Sequence, residues 1–586
     1  MKDFLKYTFA TVVGLLVAGF LLLFLGIAAL VGFSLSLSTT PIVGDNAVAV
    51  LRLDGSVTER GTDDALQMLL GEEYANIGLQ QLLDGIAYAK TSSQVKGIHI
   101  EAGPLAATPA ALQELRDALV DFKASGKFVT AYSDGYTQGT YYVCSVADCM
   151  MLNPQGSMAW EGMSAETAFY KELLEKLGIQ MQIFKVGTYK SAVEPFVSTQ
   201  MSEANREQTT AYLQSIWGSI VQEVSHSRDI PVDTLDAYAR RGLSFRPAEE
   251  LLACKMVDTL IYQNDVSAYI NKVYGVVSEE LQTVSVEDLA QLKAEEDIPG
   301  SPRSSIAVYY AEGGIDDVPL SRGETAIHAP LVCDDLRALA DDPDVKAVVL
   351  RVNSPGGSAF GSEQIWHEVM NLKARKPVIV SMGGYAASGG YYISCAADSI
   401  VAEPTTLTGS IGIFGMLPNM QGLADKVGLQ FESVYTHHAP PSVFRPLDAA
   451  TASSVQANIE RGYALFVRRC ADGRGLPEDS IRSMAEGRVW TGAMAHELGL
   501  VDELGGLDTA LRLAAEKAGL DDYTVVRYPE PEDLWQKLLS GQWNGVVESG
   551  VREVLGTDYE SLRFVKQIRE QAPVQTRLPY VLRLNL

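Results

Sequence analysis

Cysteine, clustered cations and metal-binding motifs are all scarce in this sequence. Six cysteines in 586 residues are too few for a disulfide framework. They are Cys144, Cys149, Cys254, Cys333, Cys395 and Cys470, and no two form CxxC, so a zinc ribbon or thioredoxin-type motif is excluded. The seven histidines include no HExxH. No metal and no cofactor is expected. Lys and Arg number 47 against 73 Asp and Glu, a net charge of −26. A phosphate backbone needs clustered cations, so nucleic acid is excluded as a partner. The 51 glycines and 24 prolines are too dispersed for a collagen-like or low-complexity chain. Hydrophobic residues at 47% with 20% charged residues exclude a disordered protein.

Charge is missing altogether from Tyr7 to Gly44. The centre of that run, Phe9 to Phe33, reads FATVVGLLVAGFLLLFLGIAALVGF. A helix needs about 20 apolar residues to span a bilayer. A cleaved signal peptide carries an apolar region of only about 7–15, and no clear A-x-A site follows here. Residues 1–45 therefore predict an uncleaved transmembrane anchor. Lys2 and Lys6 precede it, opposed only by Asp3. The positive-inside tendency then puts the N-terminus in the cytoplasm and the large remainder outside.

That remainder repeats itself. Val95–Ile100 (VKGIHI) matches Val345–Leu350 (VKAVVL), and Tyr141-Tyr142-Val143 matches Tyr391-Tyr392-Ile393, both offset by 250 residues. Met256-Val257-Asp258 matches Leu500-Val501-Asp502 near the two ends. Two copies of one fold are predicted, at 46–285 and 305–525. A helical linker at 286–304 joins them, and a partly helical tail at 526–586 follows. Within each copy, short β-branched runs alternate with helical patterns. In the second copy the strand candidates are Ile306–Tyr310, Val345–Val352 and Val378–Ser381, with a helix near Glu363–Lys373. Continuous apolar strands alternating with helices predict a parallel βαβ arrangement, an α/β fold.

Chemistry concentrates in two glycine-marked turns of the second copy. One is Asn353-Ser354-Pro355-Gly356-Gly357-Ser358, directly after a strand. The other, Gly383 to Gly390, contains Ser388 just before the apolar run Tyr391–Ala397. A serine at the start of a buried helix meets free N–H groups and a positive dipole end, which suit a developing anion. On its own, a serine among glycines is usually a turn residue. The first copy has no such serine: its corresponding turns read Gly103-Pro104-Leu105-Ala106-Ala107 and Gly135-Tyr136-Thr137-Gln138-Gly139-Thr140. It carries instead Lys190, in Gly187-Thr188-Tyr189-Lys190-Ser191-Ala192-Val193-Glu194, where the second copy has Pro440. Taken alone, Lys190 reads as a surface lysine pairing with Glu194. The losses in the two copies are complementary, however, and two half-sites would make one whole.

Four motifs, YKSAVEPF around Lys190, NSPGGS at 353–358, MGGYAASGGYYIS at 382–394 and TLTGSIGIFG at 406–415, together resemble the signal peptide peptidase A (protease IV) family in its long, double-copy form. The resemblance covers nearly the whole chain. It implies a ClpP/crotonase-type fold in tandem and a Ser–Lys dyad, with Ser388 as nucleophile and Lys190 as general base. It also implies that Ser410 orients the lysine, and that oxyanion donors come from the N–H of Gly389 and one N–H of the Gly356–Gly357 pair. Substrates would be signal peptides and other hydrophobic peptides at the bacterial inner membrane, with the catalytic body on the extracytoplasmic side and a homotetrameric assembly.

Such chemistry makes demands on the lysine. Its usual pKa is about 10.4, and holding the amine neutral near pH 7 costs about 4–5 kcal/mol. Burial can supply this, so Lys190 must sit in a dry pocket and Glu194 must point away. His437 and His438 are expected at the surface. A crotonase-type acyl-CoA hydratase or isomerase, or a non-catalytic membrane-tethered scaffold, are the alternatives. Neither explains why serine and lysine are divided between the copies.

Overall fold

The computed structural model describes residues 41–61, 76–275, 282–296, 304–317, 326–437, 440–530 and 574–577, together with Tyr7, Gly14, Gly19 and Leu21 as single positions. The expected anchor thus lies outside the described residues. Among those described, no helix is long and apolar enough to cross a membrane.

Each copy is built on a parallel sheet. In the front copy the spatial order is Asn76–Gly78, Ala47–Thr58, Val95–Ala106, Phe128–Tyr136, Cys149–Met158 and Thr259–Leu260. In the back copy, Thr524–Tyr528, Ser305–Glu312, Val345–Ser354 and Val378–Ala387 lie side by side. Ser399–Ala402 and Leu407–Gly409 both pair with Val378–Ala387, along successive stretches of it. The register aligns Ile98 with Val129 in one sheet and Val348 with Val378 in the other. Strands such as Val345–Ser354 are buried along almost their whole length because both faces are covered. Helix starts are fixed locally. Thr108 accepts from Ala111 N–H ahead of Pro109–Lys123, with proline in the first turn, and Ser358 accepts from Gly361 N–H ahead of Ala359–Lys373.

Three boundaries move from their expected places. Thr283–Ser285 joins the front sheet beside Ala47–Thr58, and the helix Val286–Glu296 buries Val286 and Leu289 in the front core. Residues 286–296 therefore belong to the front copy and are not a free linker; the burial of two aliphatic side chains holds them there. Thr524–Tyr528 carries the back sheet past 525, since it pairs with Ser305–Glu312 through Tyr528. The strand expected to end at Ser381 continues to Ala387, running straight to Ser388. The helices expected in the tail lie outside the described residues; beyond residue 530 the described stretch is the strand Val574–Arg577.

A third sheet joins the copies. Its order is Ala326–His328, Gly314–Asp316, Gly356–Ser358, Val574–Arg577, Phe414–Asn419 and Gln180–Lys185. Gln180–Lys185 comes from the front copy and pairs antiparallel with Phe414–Asn419 of the back copy, from Lys185 opposite Phe414 to Gln180 opposite Asn419. The front chain is thereby handed across to the back copy just before Lys190.

A buried ion cluster adds a second joint. Arg351, 2% exposed, donates to Glu59 at 2.8 Å, Glu114 at 2.7 Å and Ser381 at 2.9 Å. Both glutamates belong to the front copy. Removing the arginine alone leaves two dry carboxylates without a counter-ion, which costs about 3–5 kcal/mol. Arg351→Met is expected to lower the thermal unfolding midpoint, and adding Glu59→Gln and Glu114→Gln is expected to recover most of the loss. Equal midpoints for wild type and Arg351→Met would show that the cluster does not hold the copies together.

Candidate active site

Ser388 stands where the strand Val378–Ala387 gives way to the helix Gly389–Ser394. Its backbone is in an uncommon conformation, φ 57° and ψ −110°. Such a conformation costs a non-glycine residue about 1–3 kcal/mol and persists only where its surroundings hold it. Here Ser388 N–H donates to Gly409 O at 2.8 Å, and Ser388 O accepts from Tyr392 N–H at 2.9 Å. Gly389 follows at the first position of the helix. Helix Gly389–Ser394 packs against Gly356–Ser358, bringing the two glycine turns together. Gly356 N–H donates to Ser354 Oγ at 3.1 Å. Gly357 has no room for a side chain: a Cβ there would lie 2.1 Å from Ile315 O.

Lys190 reaches this point from the other copy. Its Nζ is 2.7 Å from Ser388 Oγ, 3.0 Å from Ser410 Oγ and 3.1 Å from Ser410 O. All three residues are completely buried. The count of partners has chemical meaning. A neutral amine has two N–H donors and one lone pair. Unprotonated, Lys190 would donate to the two Ser410 oxygens and accept the Ser388 hydroxyl proton; protonated, it donates to all three oxygens. Burial, with no charged group contributing, drives the Lys190 pKa well below the usual lysine value. Both residues belong to one chain, 198 positions apart.

Glu194 is turned elsewhere. Its carboxylate accepts from Ser202 Oγ at 2.6 Å, Ser202 N–H at 3.2 Å and Asn205 Nδ2 at 3.0 Å, at the start of the helix Glu203–Arg228. A carboxylate is favourable there because of the free N–H groups and the helix dipole. His437 is exposed, and His438 lies outside the described residues. Among the described residues no group of His, Cys, Asp or Glu is placed to hold a metal ion.

Two supports of Lys190 have no motif to announce them. Gln208 donates through Nε2 to Tyr189 O and Ser191 Oγ, both at 3.0 Å, and accepts Val489 N–H at 3.2 Å. It ties the residues flanking Lys190 to the strand Val489–Thr491, which pairs with Leu407–Gly409. The turn Glu486–Arg488 does the rest: Tyr189 N–H donates to Glu486 O, Gly487 N–H to Ile411 O, and Ser410 N–H to Arg488 O. Gly487 has φ +79°, and a Cβ there would stand 2.6 Å from Lys190 Cβ. The only trace of this in the sequence is a glycine between helix and strand, a pattern too common to single out. Gly487→Ala is expected to push Lys190 aside and lower kcat about 100-fold, the effect of roughly 1 Å of misplacement, with far-UV circular dichroism unchanged. Wild-type kcat in this variant would show that the turn does not position the lysine.

Ser388 and Lys190 thus meet in one buried contact between the two copies of a duplicated α/β fold. The sequence matches peptidase family S49 over residues 121–276 and 370–521, and the Clp protease family over residues 318–406. It is 36% identical to a Protease 4 of Haemophilus influenzae over 91% of this chain and 90% of that one. It is also 36% identical to a Protease 4 of Salmonella typhi, over 81% and 78% of the two chains. The chloroplastic serine protease SPPA of Arabidopsis thaliana is 30% identical over 81% and 71%. The chain belongs to peptidase family S49 and is a serine protease of ClpP-like α/β fold with two S49 repeats. The hydratase and scaffold alternatives fall away with that membership.

Proposed function

We propose that the protein is a membrane-anchored endopeptidase that uses a Ser388–Lys190 dyad to degrade residual signal peptides and similar apolar peptides. The observation that carries this reading is the 2.7 Å contact between Lys190 Nζ and Ser388 Oγ in a pocket closed to water. The neutral amine takes the hydroxyl proton as Ser388 Oγ attacks a peptide carbonyl carbon. The N–H of Gly389 and one N–H of the Gly356–Gly357 pair receive the oxyanion. Lys190 returns the proton to the leaving amine, the C–N bond breaks, and an acyl-enzyme remains on Ser388. Water, deprotonated by Lys190, then attacks the ester and frees the second product. Ser410 keeps the amine aimed at Ser388 through both half-reactions. The uncharged run Tyr7–Gly44 supports tethering at the bacterial inner membrane, with the catalytic body on the extracytoplasmic face, beside peptides left in the bilayer. Assembly as a homotetramer belongs to the same reading.

A fluorophosphonate probe is expected to label the wild-type chain and not Ser388→Ala, and peptide hydrolysis is expected to vanish in both Ser388→Ala and Lys190→Ala. Labelling that persists in Ser388→Ala would remove Ser388 as nucleophile. Protonation of Lys190 disables the base, so kcat/KM is expected to climb with pH and level off with an inflection well below pH 10. An inflection at the ordinary lysine value would rule out the buried neutral amine. The unfolded chain binds a proton that the folded chain excludes, so burial of Lys190 costs stability at neutral pH, and the cost fades towards pH about 10.4. The unfolding midpoint of Lys190→Met, relative to wild type, is therefore expected to rise as pH falls from about 10 to 8. A constant difference across that range would contradict the depressed pKa.

A further inference from the structure

Resting on the Ser–Lys reading, we propose that Arg488 is a positioning residue for the reaction: its side chain clasps the residue beside the base to the strand behind the nucleophile, and so sets the distance over which the proton moves. The guanidinium carbon lies 4.7 Å from the centre of the Tyr189 ring and 4.5 Å from the centre of the Trp490 ring. Tyr189 immediately precedes Lys190 and belongs to the front copy; Arg488 and Trp490 belong to the back copy. An aromatic face attracts a guanidinium within about 6 Å, so one cation holds two rings from different copies. Arg488 Nη1 also lies 3.0 Å from Glu207 Oε1 and donates to Tyr189 Oη at 3.2 Å, and the Tyr189 hydroxyl donates to Glu207 Oε2 at 3.0 Å. Among the described residues Arg488 Nε has no hydrogen-bond partner. The two rings, the tyrosine hydroxyl and one carboxylate make the grip.

Each end of this clasp leads to one member of the dyad. On the front side Tyr189 is bonded directly to Lys190. On the back side Trp490 stands opposite Thr408 in the antiparallel pair, next to Gly409. Gly409 O accepts the Ser388 N–H at 2.8 Å. A Cβ on Gly409 would stand 2.8 Å from Trp490 Cδ1, so the indole lies directly against the residue that holds the nucleophile's backbone. The Arg488 main chain adds a third link, because its carbonyl accepts the Ser410 N–H at 2.7 Å. Ser410 in turn supplies the two other oxygens at Lys190 Nζ. One residue therefore meets the neighbour of the base through its side chain and the hydroxyl partner of the base through its carbonyl. Ser388 and Lys190 are 198 positions apart, so non-covalent ties fix their separation. Lysine at position 488 would keep the charge but lose the planar fork that stacks on rings while meeting a carboxylate.

Variants of the full-length protein test this. Arg488→Lys should lower kcat for a model signal peptide about tenfold or more, as displaced catalytic groups do, with KM little changed. The inflection of kcat/KM against pH should also rise by about one unit, because a loosened lysine admits water that favours its ammonium form. A role in stability alone would lower the unfolding midpoint and leave the inflection in place, and that result overturns the proposal. Trp490→Leu removes one ring and should move kcat and the inflection in the same directions, while Trp490→Phe, which keeps an aromatic face, should restore most of the loss. Equal behaviour of the leucine and phenylalanine variants overturns the part given to the ring. Residues acting through one shared contact are not additive, so Arg488→Lys with Trp490→Leu should be no slower than the slower single variant; losses that multiply overturn the clasp. Fluorophosphonate labelling separates this inference from the reading beneath it. Labelled Ser388 in wild type with an unmoved inflection in Arg488→Lys counts against the clasp alone, whereas no labelling of wild type counts against the dyad and the clasp with it.

Discussion

The antiparallel pairing of Gln180–Lys185 with Phe414–Asn419 is the constraint on which the rest of the molecule depends. It carries the front copy's chain onto the back copy and leaves Lys190 five residues from the end of a rigid ladder. Everything the lysine needs follows from that delivery. The Glu486–Arg488 turn and Gln208 brace its backbone, and Ser410 meets its amine. The surrounding protein excludes the water that would keep the amine charged. A lysine on a mobile surface loop would gain none of this, because a solvated ammonium has no reason to give up its proton near neutrality.

Burial of that amine is unfavourable in isolation, and the structure offsets it with satisfied hydrogen bonds instead of charge. Among the described residues no carboxylate answers the lysine; the nearest in sequence, Glu194, is occupied with Ser202 and Asn205 at the start of a long helix. Charge pairing is used elsewhere, between Arg351 and the front copy's Glu59 and Glu114, where the task is to join two bodies. The same fold thus treats two buried cations in opposite ways. Arg351 is paired with two carboxylates across the joint between the copies, whereas Lys190 meets only serine oxygens among the described residues.

Much of this was legible in the sequence, for identifiable reasons. The repeat showed itself through paired apolar strands, since a strand covered on both faces must read VKGIHI or VKAVVL. Ser388 and Lys190 stood out because each copy lacks what the other has. The glycine turns were visible because the close approach at Gly357 admits no side chain. The boundaries were less legible. Residues 286–296 are charged on one side and look like a linker, but Val286 and Leu289 are enough to fix the helix in the front core. Gln208 and Gly487 were invisible because their roles exist only in three dimensions. An amide within a helix and a glycine after one occur in every protein, and the contacts that matter link residues hundreds of positions apart. The pairing of Val574–Arg577 was illegible for the same reason: four ordinary residues acquire meaning from the edges they meet.

On the proposed Ser388–Lys190 reading, division of the site between copies also has a temporal side. Ribosomes release the front half, with Lys190, before the back half, with Ser388. The two side chains meet only once both bodies have docked, so on that reading a partly made chain is inert towards its neighbours and cutting power arrives with the finished fold, as a safety catch written into the order of synthesis.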